Sequence, residues 1–533
     1  MRHSVARRFL WMMPLLVVLA VGVITAKAAG RRPVLYNGDG DWFYWTGPED
    51  MDRAYLEDIV NRLAAAHVTI HSEVFYDGGH CFYDTRAGVR FDKDPDYRLS
   101  PATNRFTVLE AWRMVNNFRR LLSQGNEPLK VFVETSHKKG LKFLACVRMN
   151  DRHDFNVKHP PLPVRGHPEM AMKRLNGSVI GGMDFQHAEV RDFVFKPMEE
   201  MVRKYDVDGL ELDWMRWVQM FSEDVPREKR AAVLTGYHRR IRKMLDDAGK
   251  QKGKHLLLSV RVPSTLEECA ASGYDVEAYV REGLIDILCP SDFIVLDPHL
   301  RVDPFLKITG GTKILTLPSL HAPTGFKSGI PATENIRAVA HSYYRQGADG
   351  ISVYNWFTPR EINLPENFPA LAEASDPEAL AKLPREYLFN PMWGRKSQTG
   401  RLIDYKAQVP RSSPGKREVF PFLIKEDLDT TRTALKLKIE NLTLLDEIRL
   451  DVNGTPLRPE HYKRSYLAAG KRGDARWLDA GWEAGPYYLF EVNHAGRWLR
   501  DGDNEIGLTL LKPNPAVDLP ITLFEVRVGV WPR

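Results

Sequence analysis

Cysteine is scarce in this 533-residue chain: only Cys81, Cys146, Cys269 and Cys289. None stands at metal-ligand spacing, and nothing in their pattern demands a disulfide framework. Cys146 and Cys289 fall in apolar, strand-like runs, where a free thiol packs as a small hydrophobe. Excess charge of one sign is also missing. Lys and Arg total 75 against 69 Asp and Glu, and the formal net charge of +6 is scattered without a long basic block. That distribution argues against a nucleic-acid partner. The first strand-like run, "VLYNGDGDW", has no His-x-His, and no Gly-x-Ser-x-Gly elbow occurs. Gly310-Gly311 precedes the seventh strand-like run instead of following it. A binuclear metal hydrolase, a serine hydrolase and a phosphate-binding barrel are therefore disfavoured. His71 and Glu73 alternate on the second run, but two ligands do not make a zinc site, so no metal and no cofactor is implied.

Long apolar runs are absent apart from one at the N-terminus. "MRHSVARR" is basic, "FLWMMPLLVVLAVGVITA" is apolar, and Ala26 to Ala28 fit the small-x-small cleavage rule. Residues 1–28 are expected to be a signal peptide, with Ala29 first in a periplasmic or extracellular mature chain. The alternative is an uncleaved anchor, since the run nearly suffices to span a bilayer. No membrane partner is expected otherwise.

A chain of this length exceeds one core and calls for two or three domains. After the leader, eight apolar runs alternate with helical patterns whose apolar residues recur at three and four: "PVLYNGDGDW", "HVTIHSEVFY", "LKFLACVRMND", "VDGLELDWMRW", "HLLLSVRVPS", "LIDILCPSDF", "KILTLPSLH" and "DGISVYNWF". This pattern predicts an α/β fold, a (β/α)8 TIM barrel, over residues 33–360. Residues 361–415 lose periodicity and read as a connecting segment. From about 416 to 533 strands return without helices, with a hairpin signal at Asn453-Gly454, which predicts a β-sandwich accessory domain.

Each strand-like run ends in polar or aromatic residues, and in a barrel those ends converge on one face. They include Asn37, Asp39 and Trp42; Glu73, Tyr76 and Asp77; Arg148, Asn150 and Asp151; Asp213, Trp214 and Arg216; Arg261; Asp292; His321; and Tyr354, Asn355 and Trp356. In "KYDVDGLELDWMRW" the alternation of a strand puts Glu211 and Asp213 on one face and Leu210, Leu212 and Trp214 on the other. Charged residues in an apolar strand are costly unless paired or used.

"DGLELD" resembles the fourth strand of the chitinase-type glycoside hydrolase family 18, but Met215 stands where that family has its acid glutamate. Its substrate-assisted mechanism is therefore not implied. A closer resemblance is to the glycosyl-hydrolase-like family 10 group of exported bacterial barrels. It is carried by "GLKFLACVRMND", "VDGLELDWMRW" and "IDILCPSDF" and covers roughly residues 33–360. Where that group often reads Asp-x-x-Arg-Tyr, this chain has Asp213 to Trp217 as Asp-Trp-Met-Arg-Trp.

The resemblance implies an exported glycoside hydrolase with a carbohydrate substrate and two carboxyl groups flanking one bond. Asp213 is the expected nucleophile or base and Asp292 the expected acid, with Glu73 an alternative acid. Glu211 is expected to tune Asp213 or hold an arginine; otherwise it forms a salt bridge inside the barrel with Arg148 or Arg261. Trp42, Trp45, Trp214, Trp217, Tyr354 and Trp356 suit sugar stacking or rim packing alike. Arg148, Asn150, Asp151, Arg216 and Arg261 are the expected polar contacts. The rival expectation is a catalytically silent carbohydrate-binding barrel.

Overall fold

The computed structural model describes residues 30–40, 42, 50–94, 108–151, 162–292, 296, 298–321, 333–354, 356, 368–389, 395–396, 402–403, 406–467 and 486–533. The expected leader with Ala29, and Trp45 and Asn355, lie outside them. Among the described residues no helix is long and apolar enough to cross a membrane.

A parallel sheet surrounded by helices occupies the first two thirds of the chain. Its strands are β1 (Val34–Gly38), β2 (Ile70–Asp77), β3 (Lys142–Arg148), β4 (Gly209–Asp213), β5 (Leu257–Pro263), β6 (Ile287–Ser291), β7 (Leu315–Thr316), β8 (Ser319–His321) and β9 (Ile351–Tyr354). The hydrogen-bonded order is β7-β6-β5-β4-β3-β2-β1-β9-β8. The two ends of this path are adjacent in sequence: β7 pairs with β6 while β8 pairs with β9. Helices intervene, among them α1 (Arg53–Ala65), α2 (Val108–Ser123), α3 (Pro128–Lys138), α4 (Ala188–Lys204), α5 (Arg227–Lys252) and, before β9, α6 (Thr333–Gln346).

One local device recurs where a helix feeds a strand. Asp208 accepts the amide of Phe143 on β3 at 2.8 Å, Asp286 accepts that of Leu258 on β5 at 2.8 Å, and Asp349 accepts that of Thr316 on β7 at 2.9 Å. Asp208 and Asp286 thus satisfy a donor at the start of the strand before their own, which fixes the stagger between paired neighbours, while Asp349, ahead of β9, satisfies one on β7. Gly209 follows for a steric reason. A Cβ there would lie 2.0 Å from the Leu257 carbonyl oxygen, so the close approach of β4 and β5 requires glycine.

Register sorts the inward-facing residues into layers. Leu35, Ile70, Leu144, Leu257, Ile287, Cys289 and Leu317 form a separate small apolar cluster. One step further along the strands, Asn37 pairs with Ser72, Cys146 with Glu211, and Glu211 with Ser259. A further step brings Arg148 beside Asp213, Asp213 beside Arg261, and His321 beside Tyr354. The interior therefore grades from apolar to polar to charged toward the C-terminal strand ends. The opposite face of the sheet packs on the helices in a much larger core that includes Val34, Tyr36, Phe143, Leu210 and Leu212.

Beyond β9, the described residues form two larger antiparallel sheets and a short antiparallel pair, Arg395–Lys396 with Leu402–Ile403. One contains β10 (Arg385–Phe389), β11 (Ala407–Val409), β13 (Thr431–Glu440), β16 (Lys463–Leu467), β17 (Tyr487–Asn493) and β19 (Ile521–Pro532); the other contains β12 (Arg417–Ile424), β14 (Glu447–Val452), β15 (Thr455–Leu457) and β18 (Gly502–Lys512). Both contribute to one apolar core, with Leu435, Leu437, Val526 and Val528 from the first and Phe420, Phe422, Ile506 and Leu508 from the second. The 361–415 stretch, expected to be a plain connector, supplies two of these strands. β10 and β11 both pair antiparallel with β19. Strands of five and three residues are too short to show a period, and their partner lies at the far end of the sequence.

Candidate active site

Asp213, the last residue of β4, is the centre of the charged layer. Arg261 of β5 donates three hydrogen bonds to it: Nε to Oδ1 at 3.0 Å, Nη2 to Oδ1 at 2.7 Å and Nη2 to Oδ2 at 2.7 Å. The backbone amides of Met215 and Arg216 add bonds of 2.9 and 3.0 Å to Oδ1. Four of these five bonds fall on Oδ1, so Oδ2 keeps the greater accepting capacity. The Asp213 side chain is fully buried in this conformation.

The guanidinium of Arg261 lies 3.5 Å from the ring centroid of Tyr354. The Tyr354 hydroxyl accepts from Arg216 Nη1 at 3.1 Å, and Arg216 Nε lies 3.4 Å from Asp151 Oδ2. Asp151 also faces Arg148 at 3.4 Å, and Arg148 reaches Asp77 at 2.9 Å and the carboxylate of Asp39. One chain of contacts thus joins the ends of β1, β2, β3, β4, β5 and β9. Burial is the largest effect on Arg261 and would lower its pKa, but the charge of Asp213, the Tyr354 hydroxyl, the hydrogen bonds to Asp213 and the charge of Glu211 together hold it above its ordinary value.

Glu211 lies one layer deeper. Its Oε2 accepts from Asn37 Nδ2 at 2.7 Å. Burial, reinforced by the charge of Asp213, pushes its carboxyl up to about 7 against opposing pulls from Ser72 and Asn37. The expected salt bridge of Glu211 with Arg148 or Arg261 is not formed. Register places Arg261 directly beside Asp213, and Ser259 beside Glu211.

Asp292, just beyond β6, accepts from Ser264 Oγ at 2.7 Å and is nearly buried. Its neighbour Ser291 lies 3.1 Å from His321 Nε2, and the His321 ring meets Tyr354 edge-on at 5.4 Å. Asp292 is thus anchored to the end of β5 by Ser264, whereas Asp213 is anchored by Arg261.

Several expected sugar contacts lie elsewhere. Trp42 is buried against Phe75 and Phe132. Trp214, the first residue beyond β4, is buried among Phe185, His238 and Tyr274, on the side opposite Asp213. Trp356 is buried, and its carbonyl accepts from Tyr36 at 2.6 Å. These three indoles are core, not stacking platforms. Asn150 pins the following loop, donating to the Met183 carbonyl at 2.9 Å and accepting the Met183 amide at 2.8 Å.

Glu73 sits on the helix side of β2. It accepts the Gly40 amide at 3.0 Å and lies 3.3 Å from His71 Nε2, while His71 Nδ1 is 3.1 Å from Ser136 on α3. Burial pushes Glu73 up to about 8 and His71 down to about 3, so both are neutral near pH 7. As an alternative acid Glu73 faces the wrong side of the sheet.

Asn37, Asp39, Asp77, Ser264 and Ser291 belong to the site more closely than these. Asn37, Asp39 and Asp77 stand at strand ends where the sequence already shows polar residues; Ser264 and Ser291 carried no signal of their own. Among the described residues no cluster of three His, Cys, Asp or Glu is arranged to hold a metal ion.

Residues 106–230 match the family model described as Glycosyl hydrolase-like 10. That segment is similar to the glycosyl-hydrolase-like family 10 group. The glycosyl hydrolase YngK of Bacillus subtilis (strain 168) is 32% identical over 96 residues, which span 17% of this chain and 18% of that protein. Among solved structures, the α-L-fucosidase isoenzyme 2 of Paenibacillus thiaminolyticus superposes with a TM-score of 0.43 at 14% identity, covering 66% of this chain and 50% of its own. The PgaB (BpsB) glycoside hydrolase domain of Bordetella bronchiseptica gives 0.42 at 12% identity, covering 65% and 99%. Superpositions that loose carry no functional assignment.

Proposed function

We propose that this chain is an exported glycoside hydrolase acting on a poly- or oligosaccharide at the C-terminal ends of its parallel strands. One observation carries the reading. The segment matching the glycosyl hydrolase-like 10 family contains Arg148, Asp151, Glu211, Asp213 and Arg216, most of the charged layer described above. Split pairing of the consecutive segments β7 and β8, one to β6 and the other to β9, supports a closed (β/α)8 barrel, and the shared core of the two antiparallel sheets supports a β-sandwich. Export rests on the basic, apolar and small-residue blocks of residues 1–28.

In this mechanism Asp213 is the anionic partner, acting through Oδ2, and Asp292 is the proton donor. Arg261 keeps Asp213 oriented, and Glu211 beneath it raises the cost of a second negative charge in the layer. A retaining reaction requires the two carboxyls about 5–5.5 Å apart and an inverting one about 6.5–9.5 Å.

A second reading, a catalytically silent carbohydrate-binding barrel, is favoured by the complete burial of Asp213 under Arg261. Hydrolysis of a polysaccharide panel by the wild type, Asp213→Asn and Asp292→Asn separates the two. Turnover by the wild type that both variants lose supports the enzyme. Binding of a glycan by all three with release of no reducing ends would establish the silent barrel.

A further inference from the structure

Tyr354 ends β9, whereas Arg261 lies on β5, and these two strands do not pair. Their contact therefore reaches across the charged layer instead of following the register between neighbours. Arg261 Cζ lies 3.5 Å from the Tyr354 ring centroid. An atom that close cannot lie in the ring plane, where it would collide with the ring carbons, so it sits over a face. Tyr354 has no exposed surface. The aromatic expected to stack on a sugar thus covers a guanidinium instead. That cover is needed. Nε and Nη2 of Arg261 donate to Asp213, but Nη1 is buried and, among the described residues, finds no hydrogen-bond acceptor. The π face supplies negative potential beside a desolvated cation that lacks one acceptor.

The same side chain holds two further groups. Its hydroxyl accepts from Arg216 Nη1 at 3.1 Å, and the Arg216 amide donates to Asp213 Oδ1 at 3.0 Å. His321, its cross-strand partner on β8, meets the ring edge-on at 5.4 Å and lies 3.1 Å from Ser291 Oγ, which donates to the Asp292 carbonyl at 2.9 Å. Tyr354 therefore stands between the supports of Asp213 and those of Asp292. Without the ring, Arg261 keeps its charge but loses the surface that limits how it turns. The carboxylate it grips then loses its single orientation, and with it the difference between a crowded Oδ1 and a freer Oδ2.

We propose that Tyr354 is a positioning residue for the two-carboxylate reaction, its ring holding Arg261 so that Asp213 presents Oδ2 to the substrate. This role rests on the glycosidase reading above. Tyr354 itself touches no substrate, so its loss acts on kcat and not on KM. The hydroxyl contributes less than the ring, because Arg216 also has Asp151 within 3.4 Å. A ring that served packing alone would behave differently: its removal would lower stability and leave the turnover of each folded molecule unchanged.

Turnover of the glycan that the full-length wild type cleaves best is measured for the wild type, Tyr354→Leu and Tyr354→Phe. Hydrogen exchange of the Arg261 Nε–H is followed beside it in isotope-labelled protein. Tyr354→Leu is expected to lower kcat about a hundredfold, the cost of a misplaced catalytic group, with KM unchanged. Tyr354→Phe keeps the ring and is expected to restore all but about fivefold of that kcat, the worth of one hydrogen bond. Exchange should be slow in the wild type and Tyr354→Phe and fast in Tyr354→Leu. If Tyr354→Leu does not fold, a ring-fluorinated phenylalanine at position 354 replaces it. That residue keeps the shape and weakens the π face, so it should lower kcat and speed exchange relative to Tyr354→Phe. Wild-type kcat and exchange in folded Tyr354→Leu, or no difference between the fluorinated and plain rings, overturn the positioning role and leave the glycosidase reading standing. A raised KM with unchanged kcat makes Tyr354 a binding residue and overturns the role as well. A wild type that cleaves no glycan overturns the glycosidase reading and the positioning role with it, and the exchange rates then describe a structural clamp only.

Discussion

Arg261 holds Asp213 through three hydrogen bonds while its guanidinium lies 3.5 Å from the Tyr354 ring centroid. Two fully desolvated charges are tolerated here because each satisfies the other, so removing either leaves an uncompensated charge in the interior. Arg261→Ala is expected to lower unfolding stability by about 3–5 kcal/mol. Asp213→Asn keeps the shape and loses the charge, so it too should destabilise rather than leave the fold untouched. Urea unfolding of both variants checks this; midpoints within experimental error of the wild type would show that the pair is solvated in solution. Any loss of turnover in Asp213→Asn must therefore be read beside its melting curve.

The pH dependence of stability follows from Glu211 and Glu73. Burial raises their carboxyls to about 7 and about 8, above the ordinary carboxylate value near 4.5. The folded chain then binds these protons more tightly than the unfolded chain. Their stabilising contribution is complete below about pH 4.5 and is lost as the pH rises to 7 and 8. Glu211→Gln keeps an acceptor for Asn37 and cannot ionise. It should be more stable than the wild type at pH 8.5, by an amount on the order of 3 kcal/mol, and close to it at pH 5. A difference that is the same at both pH values would contradict the assignment.

Strand alternation made part of this site legible. Glu211 and Asp213 share a face, and Trp214 points away, because the period of a strand is two. Their partners were not legible, because they depend on the register between strands distant in sequence. Asp213 meets Arg261 across 48 positions, and a slip of two residues would have given Arg261 to Glu211 instead. The aromatics failed as sugar contacts for a related reason. Trp42 and Trp356 follow strand ends, and the direction in which a chain leaves a strand is set by what covers it, here Phe75 and Phe132 over Trp42. The parallel sheet was legible because its helix–turn–strand unit recurs, whereas β10 and β11 occur once each and pair at long range.

Gly38 closes β1 directly beside Glu73. A Cβ on Gly38 would lie 2.0 Å from Glu73 Oε2 and 2.5 Å from its Cδ. The carboxyl has little room to yield, since the Gly40 amide holds Oε1 and His71 holds Oε2. Gly38→Ala is expected to cost about 3 kcal/mol by overpacking. In a Glu73→Ala background the same change should cost far less, because the obstructing group is gone. Additive effects in this double-mutant cycle would show that Glu73 turns aside freely.

The C-terminal sheets should stabilise the parallel-sheet region through Glu426. Arg385 of β10 donates to both its oxygens at 2.9 and 2.7 Å, Tyr387 donates at 2.9 Å, and His341 of α6 lies 3.5 Å away. Tyr387, Phe389 and Ala338 of α6 also enter the core of the two antiparallel sheets. A chain ending after Arg411 keeps β10 but loses Glu426 and the whole of β19. Arg385 would remain without its carboxylate, and β10 would present an unpaired edge with two large aromatics. That truncation is expected to aggregate or melt well below the full chain. A chain ending after Lys382 removes β10 as well and should be the more soluble of the two. In the full chain, Glu426→Gln should cost about 3–5 kcal/mol, since it leaves Arg385 buried and unpaired. A chain ending at Arg411 that unfolds at the full-length midpoint would show that β10 draws nothing from β19 and that the two regions are energetically independent.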